Sequence, residues 1–157
     1  MRQKIMPEER DPRHEARRVA LATLFERAFH SNKPAESSVF ISDLYEEKNI
    51  DQELLSEILE GVVEKRDKLD QIISEMAPAW PPDQINKIDL IALRIAVWEL
   101  VFAKQVPPKV AIDEAIEISK EFGGSSSGSF VNGVLGTVVE RYLEGKEAPP
   151  KEEGVEE

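Results

Sequence analysis

Apolar residues recur at three- and four-residue spacing along most of the chain, which is the period of an amphipathic helix. The first stripe begins near Arg13 and ends where Ser31-Asn-Lys-Pro34 interrupts it. A second helix is predicted over residues 38–47. A third follows Asp51, which is placed as its N-cap, and extends to residue 76, with the charged run 64–68 as the point where it can bend.

The strongest pattern lies in the carboxy-terminal half. Residues 88–101 are apolar on more than one helical face, which is typical of a helix at the centre of its domain. Pro107 and Pro108 open a further helix, since proline in the first turn costs no hydrogen bond. The Gly/Ser run 123–129 is predicted to be a flexible connection, and Ser129 is placed to cap the last helix.

These segments predict an all-α protein of six to seven helices in two packed helical subdomains, because no segment alternates apolar and polar residues over a strand's length. Prolines between residues 78 and 82 divide the two, and Trp80 among them is expected to pack into the joint. The predicted organisation is a flexible arm over residues 1–12, a domain over residues 13–143 with halves 13–77 and 83–143, and a disordered acidic tail over residues 144–157.

Composition narrows the class of protein. The 157 residues suffice for one domain with a buried core, the absence of cysteine suits a reducing compartment, and no apolar run is long enough to span a bilayer. We therefore expect a cytoplasmic protein that does not associate with membranes. The net charge of −11 repels nucleic acid, but residues 1–30 hold seven basic residues against five acidic ones, so a phosphate contact is most favoured there.

Candidate chemistry is sparse. His14 and His30 have no ligand neighbour at i+4 with which to form a metal pair. The Gly/Ser run precedes a helix, as phosphate-binding loops do, but it lacks the Lys-Ser/Thr of a nucleotide-binding loop and follows no strand. We expect a non-enzymatic protein with no metal and no cofactor.

Two interpretations stay open for the Gly/Ser run and for Phe130 after it. In the first, the run is a plain connector and Phe130 is the first core residue of the last helix. In the second, the backbone N–H groups and hydroxyls of the run contact a phosphate of a polynucleotide, and the ring of Phe130 stacks on a base.

Three separated motifs and the first helix carry a family resemblance. The motifs are Leu-Arg-Ile-Ala-Val-Trp-Glu-Leu over 93–100, the helix over 110–123 with Val106-Pro107 before it, and Phe-Val-Asn-Gly-Val-Leu over 130–135. The arginine-rich stretch 13–25 precedes them. In this order they strongly resemble the bacterial NusB family of transcription antitermination factors, over residues 13 to about 143.

The resemblance implies an all-helical protein without catalytic activity. Members of the family bind the single-stranded boxA RNA of ribosomal RNA operon leaders, chiefly as a heterodimer with NusE, a small-subunit ribosomal protein. They support processive elongation by RNA polymerase within an antitermination complex. Single strands are recognised by stacking and base-edge contacts, and a modest basic surface supports them, which fits the basic first helix.

The resemblance also assigns roles to residues. Asp89 matches an acidic position on the face that meets NusE. Arg94 is expected to be a paired, partly buried guanidinium, and Asn132 a hydrogen-bonding residue at a helix start. Arg13 and Arg17 are the expected phosphate contacts. The full set expected to contact RNA is Arg13, His14, Arg17, Arg18, Phe25, Ser126, Ser129 and Phe130.

Two alternatives belong to other classes. A similar helical module is attached to RNA cytosine methyltransferases, so a stand-alone relative of that accessory domain is one of them, although the chain has no βαβ pattern or glycine-rich loop to bind a methyl donor. In the other, the apolar helix over 88–101 buries against a second copy of the chain, and the protein is a homodimeric interaction module.

Overall fold

The computed structural model describes residues 11–29 and 49–151, and within these ranges the protein is built of α-helices without a strand. This architecture confirms the predicted fold class. The chain divides into two compact units, the first ending at Glu60 and the second starting at Gly61. The predicted helix over residues 38–47, residues 1–10 of the predicted arm and residues 152–157 of the predicted tail lie outside the described residues.

Among residues 11–29 and 49–60, the first unit contains α1 (Pro12–Phe29) and most of α2 (Gln52–Glu64). Asp11 caps α1, because its carboxylate accepts a hydrogen bond of 2.9 Å from the backbone N–H of Arg13. Asp51 caps α2 through the N–H of Leu54, also at 2.9 Å, which confirms the predicted cap. The N–H of Asp51 in turn donates to the carbonyl of Pro12 at 3.1 Å, so the starts of the two helices are joined.

Small and aliphatic residues of α1 form its buried face, namely Ala16, Val19, Ala20 and Leu21. This face is shifted towards the amino terminus relative to the predicted stripe. Leu24 and Phe25 are only half-buried, and Ala28 is exposed.

The predicted long helix is two helices, because α2 ends at Glu64 and α3 (Arg66–Met76) begins one residue later. At Lys65 the backbone has φ −97° and ψ 9°, which departs from α-helical values. The N–H of Lys65 nevertheless bonds to the carbonyl of Gly61, and the N–H of Leu69 bonds to the carbonyl of Lys65, both at 2.9 Å. The chain therefore bends within the predicted charged run while keeping these helical hydrogen bonds.

The second unit is completed by three longer helices: α4 (Lys87–Val97, extended by a π-helical segment Trp98–Ala103), α5 (Pro108–Gly123) and α6 (Ser125–Val138, extended by a π-helical segment Val139–Glu144). The central helix is α4, which packs against α3, α5 and α6. Almost all of its residues from Asp89 to Val97 are buried. The prediction of a central helix from its apolar pattern is confirmed.

The boundary between the units lies earlier than the proline-rich joint at residues 78–82. The reason is that α3 packs against α4 and α6, and Asp70 of α3 accepts two hydrogen bonds from Arg94 of α4. Arg94 is thus paired and partly buried, as predicted. Trp80 does not pack into the joint, since it is 53% exposed. The chain turns there through a backbone hydrogen bond of 2.9 Å from the N–H of Trp80 to the carbonyl of Ala77, which does not involve the indole.

The Gly/Ser run folds as helix, so the prediction of a flexible connection over 123–129 is wrong. Only Gly124 interrupts the helices, with φ 100° and ψ 175°, a conformation that favours glycine. Ser129 consequently lies in the second turn of α6 and does not cap it, and Asn132 is exposed in the middle of the helix.

Close packing between α5 and α6 explains this outcome. A Cβ atom built on Gly128 would lie 2.8 Å from Cγ and Cδ of Lys120 and 3.3 Å from Cγ2 of Ile116, so the glycine lets α6 approach α5. Ser127 beside it is buried. This tertiary packing stabilises helix in a segment whose intrinsic helix propensity is low.

The start of the predicted disordered tail follows a defined path. The N–H of Gly145 bonds to the carbonyl of Glu140 at 2.8 Å, and the N–H of Glu147 bonds to the carbonyl of Arg141 at 3.1 Å. Arg141 also lies within 3.6 Å of a carboxylate oxygen of Glu75 and 3.7 Å of one of Glu147. Across residues 11–29 and 49–151, no helix has both the length and the apolar character needed to cross a membrane.

Candidate nucleic-acid interface

The basic residues at the start of α1 differ in their exposure. Arg13, in the first turn, is exposed, and His14 is half-buried. Arg17 is only 1% exposed, although it was expected to contact phosphate. One turn beyond it, on the same helical line, is the buried Leu21, so Arg17 belongs to the buried face of α1. Its guanidinium is therefore not presented to solvent.

Arg18 is held by an acidic neighbour. Its Nη1 atom donates a hydrogen bond of 2.6 Å to Oε2 of Glu15, and the Glu15 side chain is buried. A charge-assisted bond of this length neutralises much of the positive charge that Arg18 would offer to an anion. Of the three arginines predicted to contact RNA, Arg13 is the one that is both exposed and outside this ion pair.

The far end of α1 contains polar groups that the sequence analysis did not select. Nε and Nη2 of Arg27 and Oγ1 of Thr23 are buried without a hydrogen-bond partner in the part of the chain that the structure describes. Burial lowers the pKa of Arg27 from its ordinary value. Phe25, predicted to contact RNA, lies between them in sequence and is half-buried. In the sequence, the i, i+4 spacing of Thr23 and Arg27 could have indicated this grouping, because it places both residues on one helical face.

The predicted residues at the start of α6 are brought together by the helix. Ser126, Ser129 and Phe130 stand at positions i, i+3 and i+4, which share one helical face. Both serines are exposed and Phe130 is half-buried, while Ser127 and Val131 are buried in the core. Hydroxyls and an aromatic ring therefore lie side by side on the surface of the second unit.

The backbone at the start of α6 adds hydrogen-bond donors to this face. No side chain caps the helix, and the first-turn N–H groups of Ser125 and Ser126 have no intrahelical carbonyl to bond. The macrodipole places partial positive charge at the same end. An anionic oxygen is the ligand that such an arrangement binds best.

Lys120 brings a full positive charge to this region, and the sequence analysis did not select it. It lies in the last turn of α5, is exposed, and its methylene carbons pass over Gly128, the neighbour of Ser129. In the sequence, Gly128 was the residue that could have pointed to Lys120. A glycine at this position leaves space for the methylene carbons of the lysine to cross α6.

Asp89, predicted to meet a protein partner, occupies the first turn of α4, where its charge suits the macrodipole. The residue is 7% exposed, and its Oδ1 atom is buried without a hydrogen-bond partner among residues 11–29 and 49–151. A buried acceptor that lacks a donor is destabilising by about 1 to 3 kcal/mol, so this oxygen has an unmet requirement for a donor.

The family model described as the NusB family matches residues 14–140. The chain belongs to the NusB family. The transcription antitermination protein NusB of Chloroflexus aggregans is 41% identical over 145 residues, which cover 87% of this chain and 92% of that protein. NusB of Dehalococcoides mccartyi is 38% identical over 128 residues, 80% of this chain and 88% of that protein.

Solved structures of the family show the same fold. T. maritima NusB has a TM-score of 0.72 and 31% identity, covering 90% of this chain and 95% of its own. A chain in the crystal structure of the antitermination factors NusB and NusE with double-stranded RNA has a TM-score of 0.74 and 25% identity, covering 82% of this chain and 96% of its own. The resemblance found in the sequence motifs is therefore confirmed at the level of family and fold.

Proposed function

We propose that the protein is a transcription antitermination factor that binds the boxA RNA of ribosomal RNA operon leaders as a heterodimer with NusE. One observation carries the proposal: the structural alignment of this chain covers 96% of the length of a chain from the complex of NusB, NusE and double-stranded RNA. The likeness is not confined to a part of the fold. In this role the protein performs no chemical step and acts by holding RNA and a partner within the complex that keeps RNA polymerase elongating.

The RNA contacts we propose are of three kinds: exposed cations, hydrogen-bond donors and an aromatic ring. Arg13 and Lys120 are exposed cations suited to phosphate oxygens. The N–H groups and the hydroxyls of Ser126 and Ser129 at the start of α6 supply further donors, and the ring of Phe130 supplies a surface for a base. Arg17 takes a structural role, because its side chain is buried.

NusE is proposed to meet the second unit at the start of α4. A basic side chain from that partner would supply the donor that Asp89 Oδ1 lacks. A basic partner would also offset the net charge of −11, which otherwise opposes the approach of RNA. Charge complementarity of this kind raises the association rate and makes binding dependent on salt.

The test is fluorescence anisotropy with labelled boxA RNA and a scrambled RNA of the same composition, each titrated with the protein alone and with equimolar NusE. We expect tighter binding to boxA than to the scrambled strand, and a further gain when NusE is present. Equal binding of the two RNAs under both conditions would refute the proposal.

A further inference from the structure

The second unit contains a cavity of about 540 Å³ where α4 and α6 end, and no residue assigned above to RNA or NusE lines it. Its size falls within the range of roughly 300 to 1,000 Å³ that is usual for small-molecule sites. Much of the wall is aliphatic, with contributions from Leu100, Val106, Pro108 and Leu143. The polar lining consists of Lys104, Tyr142, Lys146 and Glu147.

Both helices end irregularly at this cavity. The π-helical segment after α4 is closed by a bond of 2.9 Å from the N–H of Lys104 to the carbonyl of Glu99, five residues back. The segment after α6 is closed in the same way from Gly145 to Glu140, at 2.8 Å. Single π-helical turns are rare and occur frequently at functional sites.

Each irregular end is followed by a lysine in a left-handed conformation. Lys104 has φ 53° and Lys146 has φ 55°, and across residues 11–29 and 49–151 these are the two non-glycine residues with positive φ. A residue with a side chain adopts this conformation at a small cost relative to glycine, and a left-handed residue commonly ends a helix. Both helix ends thus use a left-handed lysine, and both lysines line the cavity.

The charges of the cavity are unbalanced towards the positive. Within the described ranges, neither Lys104 nor Lys146 has a side-chain hydrogen bond or ion pair, and both are exposed. The carboxylate of Glu147 is already engaged, with Oε1 at 3.7 Å from Nε of Arg141. Two lysines and one paired glutamate line the cavity, so its opening is net positive, although the chain as a whole has a charge of −11.

We propose that this cavity binds a small amphipathic anion, a molecule with an apolar body and one acidic group such as a carboxylate. The apolar body would lie against Leu100, Val106 and Leu143, and the acidic group would lie between Lys104 and Lys146. Tyr142, which is buried, also lines the cavity. The inference is independent of the proposed RNA function, because the two sites share no residue.

The test uses anilinonaphthalene sulfonate, a fluorescent amphipathic anion, titrated into the full chain at low salt. We expect saturable binding of one probe per chain, displacement by hexanoate, and much weaker displacement by hexanamide, which has the same apolar body and no charge. Added salt should weaken binding of the probe and of hexanoate, since the lysines are exposed.

The decisive variant is Lys104→Gly with Lys146→Gly. We expect it to bind the probe about tenfold more weakly, because two charge-assisted contacts are lost. The same variant should be at least as stable as the natural chain, since glycine relieves both left-handed positions. The matched control is Lys87→Ala with Lys109→Ala, which removes the same charge from exposed positions of the same unit that do not line the cavity.

A second variant, Val106→Trp, fills the cavity without altering charge and should also abolish saturable binding. The proposal is overturned if the double glycine variant binds the probe as tightly as its control, or if hexanamide competes as well as hexanoate. Binding that survives Val106→Trp in a chain with unchanged circular dichroism would likewise place the probe elsewhere.

Discussion

The guanidinium of Arg94 on α4 donates two hydrogen bonds to the carboxylate of Asp70 on α3, 2.8 Å from Nε to Oδ1 and 3.0 Å from Nη2 to Oδ2. The two side chains are 17% and 26% exposed, so both charges are largely removed from water. Two parallel bonds match the planar guanidinium to the carboxylate and restrict the orientation of both groups. This pair therefore helps to fix α3 against the central helix.

Asp70→Ala should lower the free energy of unfolding by about 1 to 3 kcal/mol, because it leaves the partly buried Arg94 without its partner. Urea denaturation followed by circular dichroism measures the change. The double variant Asp70→Ala with Arg94→Ala should lose less than the sum of the two single variants. Asp113→Ala is the control, since it breaks the exposed ion pair with Lys109 and should have a smaller effect. Strict additivity of the two single changes would show that the pair contributes no coupling.

Gly61→Ala should destabilise the protein by about 1 to 3 kcal/mol, because the space is already filled. A Cβ atom at this position would lie 2.2 Å from Cε2 and Nε1 of Trp98 and 2.6 Å from Cζ2. Thermal and urea denaturation measure the loss, and Trp98→Leu in the same chain should recover part of it.

The matched control for Gly61→Ala is Gly133→Ala on α6, where a Cβ atom would meet nothing within 4 Å. Alanine is favoured over glycine in a helix, so Gly133→Ala should raise the free energy of unfolding by about 0.5 to 1 kcal/mol. A stabilising effect of both substitutions would contradict the close approach of Gly61 to Trp98.

Arg13→Ala and Arg17→Ala should separate RNA binding from stability. The exposed Arg13 should act on RNA: its loss should reduce the salt dependence of boxA binding by about 0.7 in log K per log salt, the value for one phosphate of a single strand. The buried Arg17 should act on folding, with a lowered free energy of unfolding and an unchanged salt slope. Anisotropy over a salt series and urea denaturation measure the two quantities. The reverse assignment would show that Arg17 reaches RNA.

Asp89→Asn should weaken binding to NusE and make that binding less dependent on salt, because the charge that attracts a basic partner is removed. The free energy of unfolding of the isolated protein should stay the same or rise, since a poorly exposed charge with an unpartnered oxygen is replaced by a neutral group of similar size. Calorimetric titration with NusE and urea denaturation provide the measurements. An unchanged affinity would remove Asp89 from the partner contact.

Tyr142 should make stability fall at alkaline pH. Burial is the main cause that raises the pKa of its phenol above the ordinary value of about 10, so the folded state holds the proton more tightly than the unfolded chain. The stabilisation is complete below about pH 10 and is lost as the pH rises through the folded-state pKa. Tyr142→Phe has no phenol to ionise, so its stability should not fall in this way. Relative to the natural chain, its free energy of unfolding should therefore increase above about pH 10. A constant difference between the two chains across the alkaline range would contradict the raised pKa.

The structure could be predicted from the sequence where a residue's role depends on its near neighbours along the chain. The cap at Asp51 and the central position of α4 both rest on local pattern, and both are confirmed. Folding of the Gly/Ser run could not be predicted in this way, because the helix depends on the close approach of Gly128 to α5. Burial of Arg17 and exposure of Trp80 likewise depend on tertiary packing, which outweighs what residue type alone indicates.

Only one residue, Gly124, separates α5 from α6, although these helices pack closely together. The entropy lost in closing a loop grows with its length, so bringing these two helices into contact costs the chain little. Local contacts of this kind can form early in folding, before partners distant in sequence are found. The part of the proposed RNA surface formed by Lys120, Ser126, Ser129 and Phe130 would then come together during synthesis once α6 has emerged, because these residues lie on two helices that are adjacent in sequence.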